Sequence, residues 1–239
     1  MLIGHYAPAL VLHRLRPSIP LWALFVAAQA VDILWGGFIL TGVEHARMVP
    51  GFTESNPLDL YDMPYSHGLL ANAAWSVGFA LVWRALRPPQ RRRGEALIVG
   101  LAVASHFVLD LLVHVRDLPV VGTNGAVWGL GLWRHRELAL LVECAVFVAA
   151  ALVWRQAPQN RGPRAATMLG AMTAMLVGSY YLPAPPTPAT MAGTGLATYA
   201  VCALAAWRAM LAPANVSTRA EPLGGRLVAD TCPDTCPRP

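Results

Sequence analysis

Long apolar stretches alternate with short polar ones along most of this chain. The six longest apolar stretches cover residues 18–40, 68–86, 96–115, 138–154, 165–182 and 189–211. A helix needs about 20 apolar residues to cross the hydrocarbon core of a bilayer, so each stretch is predicted to be a span. Residues 3–15 are also apolar, but about 13 residues are too short to cross alone. The pattern predicts an all-α, polytopic membrane bundle of about six transmembrane helices plus a short N-terminal helix.

The composition supports a membrane protein. Of 239 residues, 56% are hydrophobic and only 13% are charged, and the mean hydropathy is +0.46. Soluble domains are about one quarter charged, and disordered chains need low hydrophobicity, so neither class fits the bulk of the sequence. Residues 1–211 are therefore predicted to form one membrane-embedded helical domain. Residues 212–239, rich in Pro, Thr and charge, are predicted to be a disordered tail.

All 18 basic residues are arginines, and the net charge is +5. Many of them lie in the 84–93 and 155–164 loops, and Arg14 and Arg16 precede the first long stretch. If six spans alternate, these places share one side, which the positive-inside rule assigns to the cytoplasm. The Arg134–Arg136 cluster opposes this orientation. Arginines between apolar stretches indicate topology, so membrane lipids are the expected partners and nucleic acid is not.

The four cysteines carry little information about function. Cys144 and Cys202 lie inside apolar stretches, where a thiol is typically an inert packing group. Cys232 and Cys236 form a pair in the tail, but a structural zinc site needs four ligands. No disulfide framework is implied.

The third apolar stretch contains His106, Asp110 and His114. An ionisable side chain at the centre of a span costs about 2.5–3.5 kcal/mol on insertion scales. The spacing of four residues places all three on one helical face. Imidazoles and a carboxylate on one face can hold one or two metal ions. The alternatives are a polar contact between helices and a stripe that faces water.

Histidine or aspartate occurs at a similar predicted depth in other parts of the chain. Asp32 lies in the outer half of the first stretch, and His67 opens the second. His5 reaches the same layer if residues 3–15 dip back into the bundle, but not if they lie on the cytoplasmic surface. This convergence strengthens the prediction of a metal site near the outer ends of the helices.

Four short motifs carry a family resemblance. They are Gly4-His5, Val31-Asp32-Ile33, the run Tyr65-Ser66-His67-Gly68-Leu69-Leu70, and Ser105-His106 with Asp110. Together they resemble the Gly-His, Pro-Asp-Ile-Asp, Phe-Thr-His-Ser-Leu-Leu and Ser-His-x-x-x-Asp motifs of the YdjM-like family of inner-membrane, metal-dependent hydrolases. That family is similar to zinc-dependent phospholipases C and single-strand nucleases. The match covers roughly residues 3–120, and Leu34 stands where the family has its second aspartate.

The resemblance implies a divalent metal, zinc first, with manganese and magnesium as alternatives. The family has a histidine where this chain has Asp62, and a carboxylate can replace imidazole as a ligand. His114 has no family counterpart, so it either compensates for a lost ligand or hydrogen-bonds Asp110. The complete candidate set is His5, Asp32, Asp62, His67, His106, Asp110 and His114. Either Asp32 or Asp110 is predicted to be catalytic, as a general base.

The resulting function hypothesis is a metal-dependent hydrolase of the bacterial inner (plasma) membrane, acting on a phosphoester or lipid. The first alternative is a subunit of a proton- or ion-coupled transporter, because buried Asp and His chains also form proton relays. A relay needs polar residues from one membrane face to the other, and the fifth and sixth stretches contain no Asp, Glu or His. The second alternative is a non-catalytic scaffold that retains the fold.

Four further polar residues receive secondary interpretations. Asp117 is either an ordinary loop residue or a partner that orients a ligand histidine. Glu143 faces the site or pairs with an arginine. His13 and His45 are predicted to be surface residues.

Overall fold

The computed structural model describes residues 1–90, 92–123 and 125–211. The eight helices are α1 (Tyr6–Leu15), α2 (Leu21–Ala28), α3 (Ala30–Thr41), α4 (Leu69–Leu86), α5 (Arg92–Val113), α6 (Arg136–Arg155), α7 (Pro163–Tyr181) and α8 (Pro188–Ala209). Four short strands form two antiparallel hairpins, β1 (His45–Met48) with β2 (Leu58–Asp62) and β3 (Leu118–Pro119) with β4 (Val127–Trp128). The described chain is therefore all-helical apart from small hairpins. The predicted tail and the Cys232/Cys236 pair lie outside the described residues.

Several helices are suited to crossing a bilayer. Within the described residues, α4, α5, α6 and α8 are long and apolar enough to do so. The consecutive pair α2 and α3 meets the same criteria jointly, although the two helices are bent by 55°. The prediction of an all-helical chain is confirmed, and four or five of the described helices are able to span a membrane; the count of six is not confirmed.

The first apolar stretch is broken rather than continuous. α2 ends at Ala28, Gln29 has non-helical backbone angles, and α3 begins at Ala30. The Gln29 side chain is buried, and its Nε2 donates a hydrogen bond to the carbonyl of Leu2 at 2.6 Å. The break leaves the Ala28 carbonyl free to accept a hydrogen bond from Nδ1 of His106 at 2.9 Å. Asp32 thus lies in the first turn of a new helix.

The short helix α1 lies inside the bundle. It packs mainly against α6 and α2, with further contacts to α5. Ala9 and Leu10 on this helix, and Ile3 just before it, are fully buried. Of the two placements open for residues 3–15, the buried one is therefore correct, and the residues that precede α1 reach the bundle interior.

Two of the basic segments meet at the end of the bundle opposite the hairpins. Arg87 donates to the Ser18 carbonyl at 3.2 Å and to Oε2 of Glu95 at 2.8 Å. The buried Glu95 also accepts hydrogen bonds from Ser18 and from Trp83. The segments around Arg16 and Arg87 therefore share one end, as the arginine pattern predicts.

The interpretation of His13 as a surface residue is wrong, because its side chain is buried in α1. Its Nδ1 accepts a hydrogen bond from the indole N–H of Trp154 at 3.0 Å. Burial lowers the pKa of His13 from 6.5 to about 4. His45, by contrast, is exposed as predicted.

We expect acid to destabilise the fold through His13. Its pKa is lower in the folded state than in the unfolded state. The contribution of neutral His13 to stability is therefore fully present above pH 6.5 and is lost as the pH falls towards 4. The free energy of unfolding should fall by up to about 1.4 kcal/mol per pH unit in this window. Denaturant unfolding in detergent at about pH 7.5 and about pH 5 measures this. His13→Asn, whose amide oxygen can still accept from Trp154, should lose less stability in acid, whereas the control His135→Asn should behave as the wild type does. Equal acid losses for wild type and His13→Asn would contradict the assignment.

Candidate metal centre

Six ionisable side chains from separate parts of the chain converge in the bundle: His5, Asp32, His67, His106, Asp110 and His114. Nε2 of His106 lies 3.1 Å from Oδ2 of Asp110 and 3.5 Å from Oδ1 of Asp32. Nε2 of His67 lies 3.2 Å from the same oxygen of Asp32 and 3.7 Å from Oδ2 of Asp110. Two histidines thus stand between two carboxylates.

The other carboxylate oxygen of Asp110 is also surrounded by nitrogen atoms. Nε2 of His5 lies 3.0 Å from Oδ1, and Nε2 of His114 lies 3.7 Å from it. The α-amino nitrogen of Met1 is 3.0 Å from the same oxygen. The His5 ring stacks on the His106 ring with centroids 3.7 Å apart. Asp110 is therefore the centre of the cluster.

The backbone explains why these residues meet. His106, Asp110 and His114 follow one face of α5 and its C-terminal end, as their spacing predicts. The remaining three lie at or near helix N-termini: His5 just before α1, Asp32 in the first turn of α3, and His67 two residues before α4. The broken first stretch and the buried α1 bring two of these N-termini to the same depth.

The loop after α5 holds His114 in place. The backbone N–H of Gly131 donates to the His114 carbonyl at 2.7 Å, and the Trp133 ring packs 4.4 Å from the imidazole. Gly129 has a φ of +149°, and a Cβ there would stand 1.7 Å from the Val115 carbonyl oxygen. Only glycine permits this close approach, so the Gly-rich loop has a packing role.

Three histidines are oriented from outside through Nδ1. Nδ1 of His106 donates to the Ala28 carbonyl, and Nδ1 of His114 lies 3.0 Å from Oδ1 of Asp117. Nδ1 of His67 lies 2.9 Å from Oγ of Ser66. Because each Nδ1 is engaged from outside, each Nε2 is directed towards Asp110, which is the arrangement typical of metal-ligating histidines.

A buried carboxyl group extends the support of His67. Oε2 of Glu44 accepts a hydrogen bond from Oγ of Ser66 at 2.5 Å, and Oε1 accepts from the backbone N–H groups of Tyr65 and Ser66 at 2.8 Å each. Since the Ser66 hydroxyl donates to Glu44, its lone pairs are left to accept from Nδ1–H of His67. This series of hydrogen bonds fixes the His67 tautomer that presents the Nε2 lone pair to the cluster.

Helix α8 supports the cluster from the opposite side. The Tyr199 hydroxyl donates to Oδ2 of Asp32 at 3.0 Å. This bond leaves Oδ1 of Asp32 directed at His67 and His106. The chemistry of Asp32 therefore depends on a residue far away in sequence.

Glu143 holds the N-terminal turn that carries His5. Its Oε1 accepts hydrogen bonds from the backbone N–H groups of Leu2, Ile3 and Gly4 at 3.1, 3.1 and 2.8 Å. Its Oε2 accepts from the Tyr180 hydroxyl at 2.8 Å. A Cβ on Gly4 would stand 2.8 Å from Cγ of Glu143, which explains the glycine beside His5. Of the two alternatives for Glu143, the structure supports a role at the site.

The cluster fits a divalent metal. In the described part of the chain, Nε2 of His106 and both ring nitrogens of His5 are buried without a hydrogen-bond partner. An Nε2 lone pair directed at a carboxylate oxygen is repelled unless a cation lies between the two, and unsatisfied buried groups are costly. Two groups of three ligand atoms lie within 4.8 Å of one another, namely His5 with Asp32 and His106, and His67 with His106 and Asp110. Mixed imidazole and carboxylate donors suit zinc and manganese.

The predicted ligand Asp62 lies on the β1–β2 hairpin and not in the cluster. Its Oδ2 is 2.8 Å from Nδ1 of His45, across the β1–β2 hairpin. Neither group of ligand atoms found among the described residues contains it. Asp62 ends strand β2 and the chain turns before His67, so its side chain stays with the hairpin. Of the two alternatives for Asp117, the structure supports the partner of a histidine, because its Oδ1 lies 3.0 Å from Nδ1 of His114.

A large cavity of about 1070 Å³ opens onto the cluster. Asp32, His67, Asp110 and His114 line its inner end. The loop 53–57 and Arg136 line its mouth, and α7 and α8 form one wall. The cluster is thus accessible to a ligand much larger than water.

Comparison with protein-family models, with curated proteins and with solved structures found no match to this chain.

Proposed function

We propose that this chain is a membrane-embedded, metal-dependent hydrolase whose substrate carries a phosphoester. One observation carries the proposal: histidine Nε2 atoms converge on two carboxylates that line a large cavity. Oriented ligands, N and O donors, and an access route are the features expected of a catalytic metal site. The motif resemblance to the YdjM-like hydrolases points to the same class.

The residues take different roles in this proposal. His5, His67, His106 and Asp110 would hold the metal, with His114 beside Asp110. The metal supplies Lewis-acid polarisation of the phosphoryl oxygen and lowers the pKa of bound water. Zinc is the first candidate, and manganese and magnesium are the alternatives.

Asp32 is the proposed general base. It is held by Tyr199, its side chain is 14% exposed, and it lines the cavity. In hydrolysis, the water oxygen bonds to phosphorus while the bond from phosphorus to the alcohol oxygen breaks. Asp32 would take one proton from the attacking water and return it to products, so that the water's two protons end on the two products.

The course of α5 favours a closed site over a proton relay. Between the buried Glu95 and His106, the buried positions on α5 are Ala96, Val99, Ala102 and Val103, all apolar. Glu95 is hydrogen-bonded to Ser18, Trp83 and Arg87 at its own end. A relay along α5 would need polar groups in this interval.

Metal analysis of the full chain tests the proposal. We expect detergent-purified wild type to contain stoichiometric zinc or manganese, and the His106→Ala, Asp110→Ala double variant to contain none. The control is Ser105→Ala, because the Ser105 hydroxyl only donates to the Ala102 carbonyl on its own helix. It should keep its metal. Hydrolysis of a soluble phosphodiester by the wild type and by Ser105→Ala, but not by the double variant, would support the enzyme class.

Two results would overturn the proposal. The first is monodisperse wild type without metal after incubation with zinc or manganese. The second is equal hydrolysis by the double variant and the wild type.

A further inference from the structure

The cavity that opens onto the cluster is lined by ionisable side chains at one end and by apolar side chains elsewhere. Its inner end is formed by Asp32, His67, Asp110 and His114, with Tyr199 beside them. Away from the cluster, its lining includes Met175, Leu182, Pro183 and Met191. Drug-sized ligands occupy cavities of about 300–1,000 Å³, so a volume of about 1070 Å³ exceeds the need of a small soluble phosphoester.

Helices α7 and α8 build the apolar wall of the cavity. The C-terminal half of α7 and the N-terminal half of α8 supply it, and the turn from 183 to 185 joins them. Ala174 on α7 and Thr194 on α8 line the cavity and are exposed. Ala174 lies about 10 Å along the helix axis from the end of α7 at Tyr181.

Exposure at this depth has a specific meaning in a membrane protein. α8 is one of the helices able to cross a bilayer, and α7 packs against it and against α6. With α8 across a bilayer, the exposed Ala174 and Thr194 lie below the helix ends, at the depth of the acyl chains.

The mouth of the cavity carries one cation and one anion, Arg136 and Glu54, and Oε2 of Glu54 accepts from the backbone N–H of Arg136 at 3.1 Å. Among the described lining residues, Arg136 is the one arginine. Its Nε donates to the Glu54 carbonyl at 2.7 Å, which fixes the side chain against the loop 53–57. A guanidinium group held in this way can pair with an anionic headgroup.

We propose that the substrate is a membrane phospholipid that enters sideways between α7 and α8. Its phosphoester reaches the His/Asp cluster and its acyl chains stay between Ala174 and Thr194, while Arg136 and Glu54 stand at the mouth of the cavity. The turnover part of this proposal rests on the proposed hydrolase function; the lipid-binding part stands separately.

Photolabelling of the full chain tests the lipid site without requiring turnover. The probe is a phosphatidic acid with a diazirine in one acyl chain, present at low fraction in phosphatidylcholine vesicles. We expect the label within 174–182 and 191–199. Thr194→Trp should lower labelling of these segments about tenfold, because the added ring overpacks the proposed entry between α7 and α8.

A neighbouring residue provides the matched control. Gly193 is exposed on α8, does not line the cavity, and a Cβ there meets no atom within 4 Å. Gly193→Trp should leave the labelling unchanged. If Thr194→Trp does not fold, Ala174→Trp replaces it, with Gly170→Trp as control, since Gly170 is also exposed and open.

A second measurement separates the two proposals. Hydrolysis of the same lipid should fall in Thr194→Trp relative to hydrolysis of p-nitrophenyl phosphate. Labelling that is spread over the outer helix faces and unaffected by Thr194→Trp would overturn the lipid site. Intact labelling without hydrolysis of any substrate would overturn the hydrolase function and leave the lipid site standing.

Discussion

Asp110→Asn is expected to abolish metal binding, whereas Asp32→Asn is expected to retain the metal and lose turnover. Both oxygens of Asp110 are enclosed by histidine nitrogens, from His106 and His67 on one side and from His5 and His114 on the other. An amide places an NH₂ group at one of these positions and removes the charge that a cation would need. Loss of the central carboxylate should therefore remove metal and activity together.

Asp32 stands at the edge of the same cluster. It is more exposed than Asp110 and accepts a hydrogen bond from Tyr199. Asparagine there keeps the shape and one oxygen, but it cannot take a proton. We expect kcat to fall by about 10²–10⁴, the usual contribution of a general base.

The measurement is metal content beside kcat for both variants, with Tyr199→Phe as a third. Tyr199→Phe should keep its metal and show a smaller loss of kcat, since it removes only the group that orients Asp32. Equal loss of metal from Asp32→Asn and Asp110→Asn would contradict the division of roles and make Asp32 a ligand.

Glu143→Ala is expected to have the largest effect on stability. The Glu143 carboxyl group accepts hydrogen bonds from three consecutive backbone N–H groups and from the Tyr180 hydroxyl, all inside the bundle. Removing it leaves these donors buried without partners, each at a cost of about 1–3 kcal/mol. Relaxation and water entry recover part of this, so we expect a loss of about 3–5 kcal/mol in the free energy of unfolding.

Two matched variants separate the stabilising contribution of the Glu143 hydrogen bonds from the effect of a substitution on α6. Glu143→Gln keeps one acceptor oxygen for the three N–H groups and should lose less stability than the alanine variant. Glu137 lies on the same helix and accepts from Tyr181 on α7 at 2.9 Å, but this pair is exposed. Glu137→Ala should change stability by less than about 0.5 kcal/mol. Denaturant unfolding in detergent measures the stability of all three variants. Similar losses of stability in Glu143→Ala and Glu137→Ala would contradict the role of the buried hydrogen bonds of Glu143.

The sequence was most informative where spacing within one helix decides the outcome. His106, Asp110 and His114 share one face of α5 because helical periodicity alone places them there. His67 and Asp32 were also predictable, because polar residues at one depth of an apolar bundle have few other partners. Asp62 was misleading, because the position that corresponds to a family histidine ends a hairpin strand here, and its side chain pairs with His45 across that hairpin.

The supporting residues could not be predicted from local patterns. Glu44 and Tyr199 reach the cluster only through tertiary packing, from a hairpin and from the last helix. The break at Gln29 has no proline or glycine beside it, so the usual signals for an interrupted helix were missing. The placement of His5 depended on whether α1 was buried, which its own sequence left open.

The bend between α2 and α3 gives the site a component that no substitution can delete. The acceptor for His106 is a peptide carbonyl, and position 28 provides one whatever side chain it carries. The side chain at position 28 can therefore vary in size within the limits of packing, while the His106 imidazole keeps its orientation. What must be preserved is the end of α2 at residue 28. Sequence change in this region is therefore constrained by backbone geometry rather than by residue identity. Two chains could hold the same centre and differ at this contact, which a comparison of side chains alone would miss.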